Sequence, residues 1–205
     1  MGRSSRRRAD DNRQRILEHA AAALRSGGVS AISIADIMAR VGMTQGGFYN
    51  HFSSKEALIV EACALGFARS GQHWHLAARP GGLPAAGALE RLVTYYLAPK
   101  PAEQGCPMVA LGQDAVPNQA SPALSAAYRN GVQQLLATFI GIAHSDPACS
   151  LTDEQLCLAF SAMVGSNMLG RSTGDGAWLA RMQQGRTESH AHWDKQKAAD
   201  VTSCI

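Results

Sequence analysis

Residues 32–59 read ISIADIMARVGMTQGGFYNHFSSKEALI. Ile34, Ile37, Met38 and Val41 recur at i, i+3, i+4 and i+7, which is one face of a helix. Ser33 with Asp36 three residues on resembles a capping box, with Asp where Glu or Gln is usual. Gly42 is a helix-terminating glycine. Thr44 then caps a second, short helix, QGGFYNHF. Two glycines weaken that helix, so packing through Phe48 and Phe52 must hold it. Ser53 and Glu56 spell another capping box. It opens a long helix carrying Leu58, Ile59, Ala62, Leu65 and Phe67. Helix, glycine-containing turn and short second helix make a helix-turn-helix arrangement. In that arrangement the second helix enters the major groove and the first crosses the DNA backbone.

The polar residues of this stretch suit DNA. Ser33 opens the first helix. Thr44 and Gln45 sit at the exposed start of the second, where free N–H groups attract phosphate and a Gln amide can read adenine. Gly46 and Gly47 remove side chains where backbone must approach DNA. Tyr49, Asn50 and His51 extend polar reach, although Tyr49 also reads as a core aromatic and His51 as a solvated surface histidine. Lys55 lies in the first turn of the long helix, where the helix dipole disfavours a cation. A phosphate contact would account for it.

Working outward, the chain has 205 residues, enough for a sizeable core. Residues 1–60 carry nine Lys and Arg against five Asp and Glu, whereas residues 61–205 carry ten against eleven. A basic head on a near-neutral body points to a polyanion. No apolar run reaches the ~18 residues of a membrane helix. No apolar stretch follows the basic start GRSSRRRADD, so a signal peptide is not expected and the expected location is the cytoplasm. Cys63, Cys106, Cys149, Cys157 and Cys204 lack CxxC spacing, which argues against a zinc ribbon or disulfide framework. Cys63 and Cys157 lie on apolar helical faces and read as core thiols. His73/His75 and His190/His192 are each two apart and share no helix face, so no metal is expected. The common nucleotide, hydrolase and metalloprotease motifs are missing. A Cys106–His144 pair is conceivable only as an unpositioned nucleophile and base. Neither enzymatic activity nor a cofactor is expected.

The body reads as further helices. Loops are expected at 78–87 and 98–105 from their Pro and Gly content. Leu89, Leu92, Val93, Tyr96 and Leu97 mark a helix between them. Cys106-Pro107 and Ser121-Pro122 are N-cap and N1 pairs. The first opens a short helix to about Val116, and the second a periodic one through Leu124, Tyr128, Leu135, Leu136, Phe139 and Ile140. Thr152 with Gln155 forms a capping box. The helix beyond, over 153–170, is apolar on nearly every face, as at a subunit interface. Trp178, Leu179 and Met182 allow one more short helix, and residues 186–205 are polar and aperiodic.

The stretch 32–59, with its isoleucine-rich helix, Gly42, Tyr49, Phe52 and the Ser54-Lys55-Glu56-Ala57-Leu58 entry, resembles the N-terminal head of TetR-type transcriptional regulators. The resemblance implies an all-α fold of about nine helices: a three-helix head and a ligand-binding, dimerising body. The expected division is a disordered basic arm at 1–9, a head at 10–53, a body at 54–185 and a tail at 186–205. Thr44, Gln45, Gly46, Tyr49, His51 and Lys55 fall on positions resembling the family's DNA contacts, and Phe48 and Phe52 on its core. Gly47 departs from a position often held by a hydroxyl residue. The implied partners are a palindromic double-stranded operator, a second copy of the chain through 153–170 and a helix near 175–185, and a small-molecule effector. Phe67, Trp74, Tyr95, Tyr96, Cys106, Met108, Phe139, Met163 and Asn167 are candidate pocket residues, and their character suggests a mostly apolar effector. GCPMVALGQDA resembles a branch of the family in which some members respond to electrophiles or oxidants. The helix dipole at Cys106 would lower its thiol pKa, which makes a thiol-sensing repressor the alternative reading.

Overall fold

The computed structural model describes residues 2–80 and 87–174. These form seven α-helices and three short 3-10 helices, with no strand among the described residues. The head comprises α1 (Gly2–Gly27), α2 (Ile34–Arg40) and a 3-10 helix over Gln45–Asn50. The body comprises α3 (Lys55–Ala78), α4 (Ala88–Leu97), α5 (Pro107–Leu111), α6 (Pro122–His144) and α7 (Asp153–Thr173). The candidate short helix at Trp178–Met182, its share of a dimer interface, the 186–205 tail with its histidines, and Cys204 lie outside the described residues.

Local chemistry sets most of these boundaries. Ser33 Oγ accepts from Asp36 N at 3.3 Å, and Gly42 closes α2 with φ +74°. Thr152 and Gln155 complete the reciprocal box at the start of α7, at 3.4 and 2.9 Å. Three expectations are corrected. The cap of α3 is Ser54, which accepts from Ala57 N at 3.0 Å, and not a Ser53–Glu56 box. The helix after Cys106 stops at Leu111 rather than near Val116. Residues 2–9, expected as a disordered arm, are instead helical as the first turns of α1, with Arg6, Arg7 and Arg8 exposed. No proline interrupts residues 3–26, and arginine is a good helix former.

One core runs through head and body. Ile16, Ala20, Leu24, Met38 and Phe48 are fully buried in the head, and Leu58, Phe67, Leu92, Leu111, Leu135, Phe139 and Leu156 in the body. Helix α3 is shared, packing on α1 at one end and along α6 at the other. Its approach to α6 is close enough that a Cβ on Gly131 would lie 2.2 Å from Phe67.

Two carboxylates tie loops to helix ends. Asp146, buried in the α6–α7 turn, accepts from Leu89 N at 3.1 Å and so caps α4, whose own N-cap, Gly87, has no side chain. Asp114, just beyond α5, accepts from Val29 N at 2.6 Å. Gly28 allows that contact, since a Cβ there would meet Asp114 Oδ2 at 2.4 Å, and its φ of +68° suits glycine. This bond joins the body to the end of α1.

Candidate nucleic-acid interface and body cavity

The second helix of the helix-turn-helix is a 3-10 turn and not an α-helix. Its two glycines carry little helix propensity, and 3-10 geometry is common in short pieces. Packing on one side holds it: Phe48 is fully buried and stacks on Phe52 with ring centres 5.7 Å apart. Arg13 secures the far end. Its Nε donates to the His51 carbonyl at 3.3 Å, its Nη2 donates to Glu61 at 2.7 Å, and its guanidinium lies 4.5 Å over the Phe52 ring. The opposite face is free. Thr44, Gln45, Gly46, Tyr49 and Asn50 are exposed, as is Lys55 at the start of α3, and His51 and Gly47 are half-buried. Tyr49 is 67% exposed, so it is not a core aromatic. Thr44 makes no side-chain cap bond, whereas the Ser33 hydroxyl is engaged in capping α2. Nothing in the fold lies within 4 Å of a Cβ on Gly46, and a Cβ on Gly47 would make only ordinary contact with Met38 and Met43. Neither glycine is required by internal packing.

The body holds a cavity of about 460 Å³ between α1, α3, α4, the 98–106 segment and α7. Of the pocket candidates, Trp74, Tyr95, Tyr96, Cys106 and Asn167 line it. Phe67, Met108, Phe139 and Met163 do not; they are buried in the core. The lining is mostly apolar, as the sequence suggests, but Arg25, Arg69, Lys100 and Arg171 share the wall. Arg69 pairs with Glu18. Lys100 Nζ donates to the carbonyls of Tyr95, Tyr96 and Ala98, closing the C-terminus of α4, and sits 4.3 Å over the Tyr95 ring. Arg25 was legible in principle. Leu17, Ala21 and Arg25 fall at i, i+4 and i+8, so the arginine continues a buried stripe of α1.

The thiols also depart from expectation. Burial pushes the Cys106 thiol up, outweighing the nearby Tyr96 hydroxyl, the Val109 and Met108 amides and the Arg171 charge, which all favour thiolate. Cys106 is the N-cap of α5 but makes no capping bond with its side chain. Cys157 is exposed rather than in the core, and Cys63 is buried. His144 Nε2 lies 3.0 Å from Asp153 Oδ1, and His144 is not among the residues around Cys106 in the cavity. Among the described residues no group of three His, Cys, Asp or Glu could hold a metal. No described helix is long and apolar enough to cross a membrane.

Residues 16–62 match the family described as bacterial regulatory proteins, tetR family. No curated protein matches the chain. Several solved structures are similar along most of the chain. A TetR transcriptional regulator from Chloroflexus aurantiacus J-10-FL is 22% identical, with 87% of this chain and 93% of that one covered and a TM-score of 0.70. The reduced form of NemR from E. coli is 18% identical, with 85% and 94% covered and a TM-score of 0.69. A TetR regulator from Legionella pneumophila is 19% identical, with 85% and 95% covered and a TM-score of 0.68. Residues 16–62 thus form a TetR-family head, carried on a chain with the fold of TetR-family transcriptional regulators.

Proposed function

We propose that this transcriptional regulator is a repressor that binds a palindromic operator as a dimer and releases it when a small molecule enters the body cavity. The observation that carries the reading is the one-sided recognition turn. Its inner face is locked by Phe48, Phe52 and Arg13, and its outer face presents Thr44, Gln45, Gly46, Tyr49 and Asn50 beside Lys55. Such a turn reads one half-site, so specificity needs two, spaced by whole helical turns. In this reading Gln45 contacts a base, Lys55 a phosphate, and the backbone at Gly46 and Gly47 lies against the DNA. Ser33, Asn50 and His51 belong to the same surface, with Ser33 acting through the orientation of α2.

The test is operator binding, with the site found by selecting genomic fragments on the purified protein. Lys55→Ala is expected to weaken binding to all sequences and to reduce the salt slope by about one. Gln45→Ala is expected to relax base preference at one position per half-site, by about 1–3 kcal/mol. An unchanged selected sequence would overturn the Gln45 assignment.

A second reading, release by modification of Cys106, is favoured by one observation: the thiol lines the same cavity. An adduct there would fill effector space. Equal release by an electrophile in the wild type and in Cys106→Ser would exclude it. The raised thiol pKa predicts slow modification at neutral pH.

A further inference from the structure

The cavity wall carries more positive charge than a mostly apolar ligand needs. Among the described residues four cations reach it from four segments, and no Asp or Glu lines it. Two of the four are accounted for inside the protein, Arg69 by Glu18 and Lys100 by the carbonyls at the end of α4. Arg25 and Arg171 make no ion pair among the described residues. Arg25 is only 8% exposed, and its Nε has no hydrogen-bond partner. A buried guanidinium left this way is costly unless something anionic meets it. Burial, with the charge of Arg69 added, pushes its pKa below the usual arginine value.

Two further features focus the site. Arg171 Nη1 lies over Gly105, where an added Cβ would be 2.8 Å from it and 3.4 Å from the Arg25 carbonyl. The α7 guanidinium therefore reaches across to the end of α1. Tyr96 is 5% exposed, and its hydroxyl makes no hydrogen bond of full geometry; the group beside it is the Cys106 thiol, a weak acceptor that a carboxylate oxygen would outcompete. Trp74, packed edge-on against Tyr96 at 5.7 Å, supplies an apolar wall beside these donors.

We infer that the cavity takes an organic monocarboxylate, its carboxylate held by Arg25 and Arg171 with the Tyr96 hydroxyl donating, and its apolar body against Trp74. The inference rests on the reading of this cavity as the effector site. A guanidinium binds a carboxylate through paired donors in one plane, and the aromatic wall selects an apolar body over a free inorganic anion.

The probes are 2-naphthoate, its uncharged isostere 2-naphthamide, and inorganic phosphate, each titrated calorimetrically into the full chain. The expected result is that 2-naphthoate binds at least tenfold more tightly than the amide, and that phosphate does not bind. Arg171→Gln, at an exposed position, should cost the acid at least tenfold and leave the amide unchanged. Arg25→Gln should do the same if it folds, and Arg25→Lys should recover part of the loss. Equal binding of acid and amide would overturn the inference and leave a ligand cavity in place. Phosphate binding as tight as that of the acid would overturn the organic part, and no binding of the acid at millimolar concentration would overturn all of it. Operator release is read separately by fluorescence anisotropy. Charge-dependent binding without release would uphold the carboxylate site while refuting the effector reading.

Discussion

Burial pushes the Cys63 thiol up to about 12, because α3 seals it against the core with nothing to stabilise the thiolate. The unfolded thiol ionises near 8.5. Between those values the unfolded state sheds a proton that the native state keeps, so this group's contribution to stability is intact below about 8.5 and falls as pH rises. The slope is about 1.4 kcal/mol per pH unit for one group. Urea unfolding at pH 8 and pH 10 should therefore show a steeper loss for the wild type than for Cys63→Val. Parallel losses would mean that the thiol is not sealed. The same term acts at Cys106, where burial exceeds the pull of two amides, a hydroxyl and Arg171. The helix dipole at its N-cap position was legible in the sequence. The packing of Tyr96 and the 98–106 segment around it was not, since those contacts join separate elements.

The recognition turn is where local sequence and tertiary packing divide the work. Gly46 and Gly47 deny it α-helical strength, and Phe48 and Phe52 hold it by burial. There is room for a methyl group at Gly47, whose nearest neighbours are 3.7 Å away. Gly47→Ala should accordingly raise thermal stability slightly, by about 0.5 kcal/mol. It should also lower operator affinity about tenfold, the size of one lost contact. Greater stability with unchanged affinity would show that the backbone there does not approach DNA. Most helices were legible because apolar residues at 3.6-residue spacing were bounded by caps: Ser33, Ser121, Thr152 and Gly42 all act as their types suggest. Boundaries set across space were hidden. Asp146 caps α4 from a distant turn, and Asp114 fastens the loop after α5 to Val29. The cavity was half legible for the same reason. Aromatic candidates stood out by type, whereas Arg25 and Arg171 became wall residues only when the ends of α1 and α7 met at Gly105.

At the scale of the whole molecule, α7 has an apolar face that no other described element covers. Leu156, Phe160 and Met163 point into the core, while Leu158, 71% exposed, is followed at helical spacing by Ala162, Gly165 and Leu169, with Met168 alongside. Small residues in the middle of such a stripe let a second helix come close, and nothing lies within 4 Å of a Cβ on Gly165. Sedimentation should show a dimer that Leu158→Glu converts to monomer with helical content retained, and the monomer should lose specific operator binding. A wild type that is monomeric at all concentrations would refute the dimer. The length of α3 has a mechanical consequence. Lys55 begins it, and Arg69, Ser70 and Trp74 on the same rod face the cavity. Nineteen residues at 1.5 Å each put about 28 Å between Lys55 and Trp74. A tilt of about 5° at the Trp74 end would sweep the Lys55 end through roughly 2.5 Å, enough to take an ammonium group out of hydrogen-bonding range of a phosphate. Under the proposed function, helix α3 would be a lever with the cavity at its fulcrum. A ligand that fills only a few ångströms of space would then lift the recognition turn from its groove without unfolding any helix.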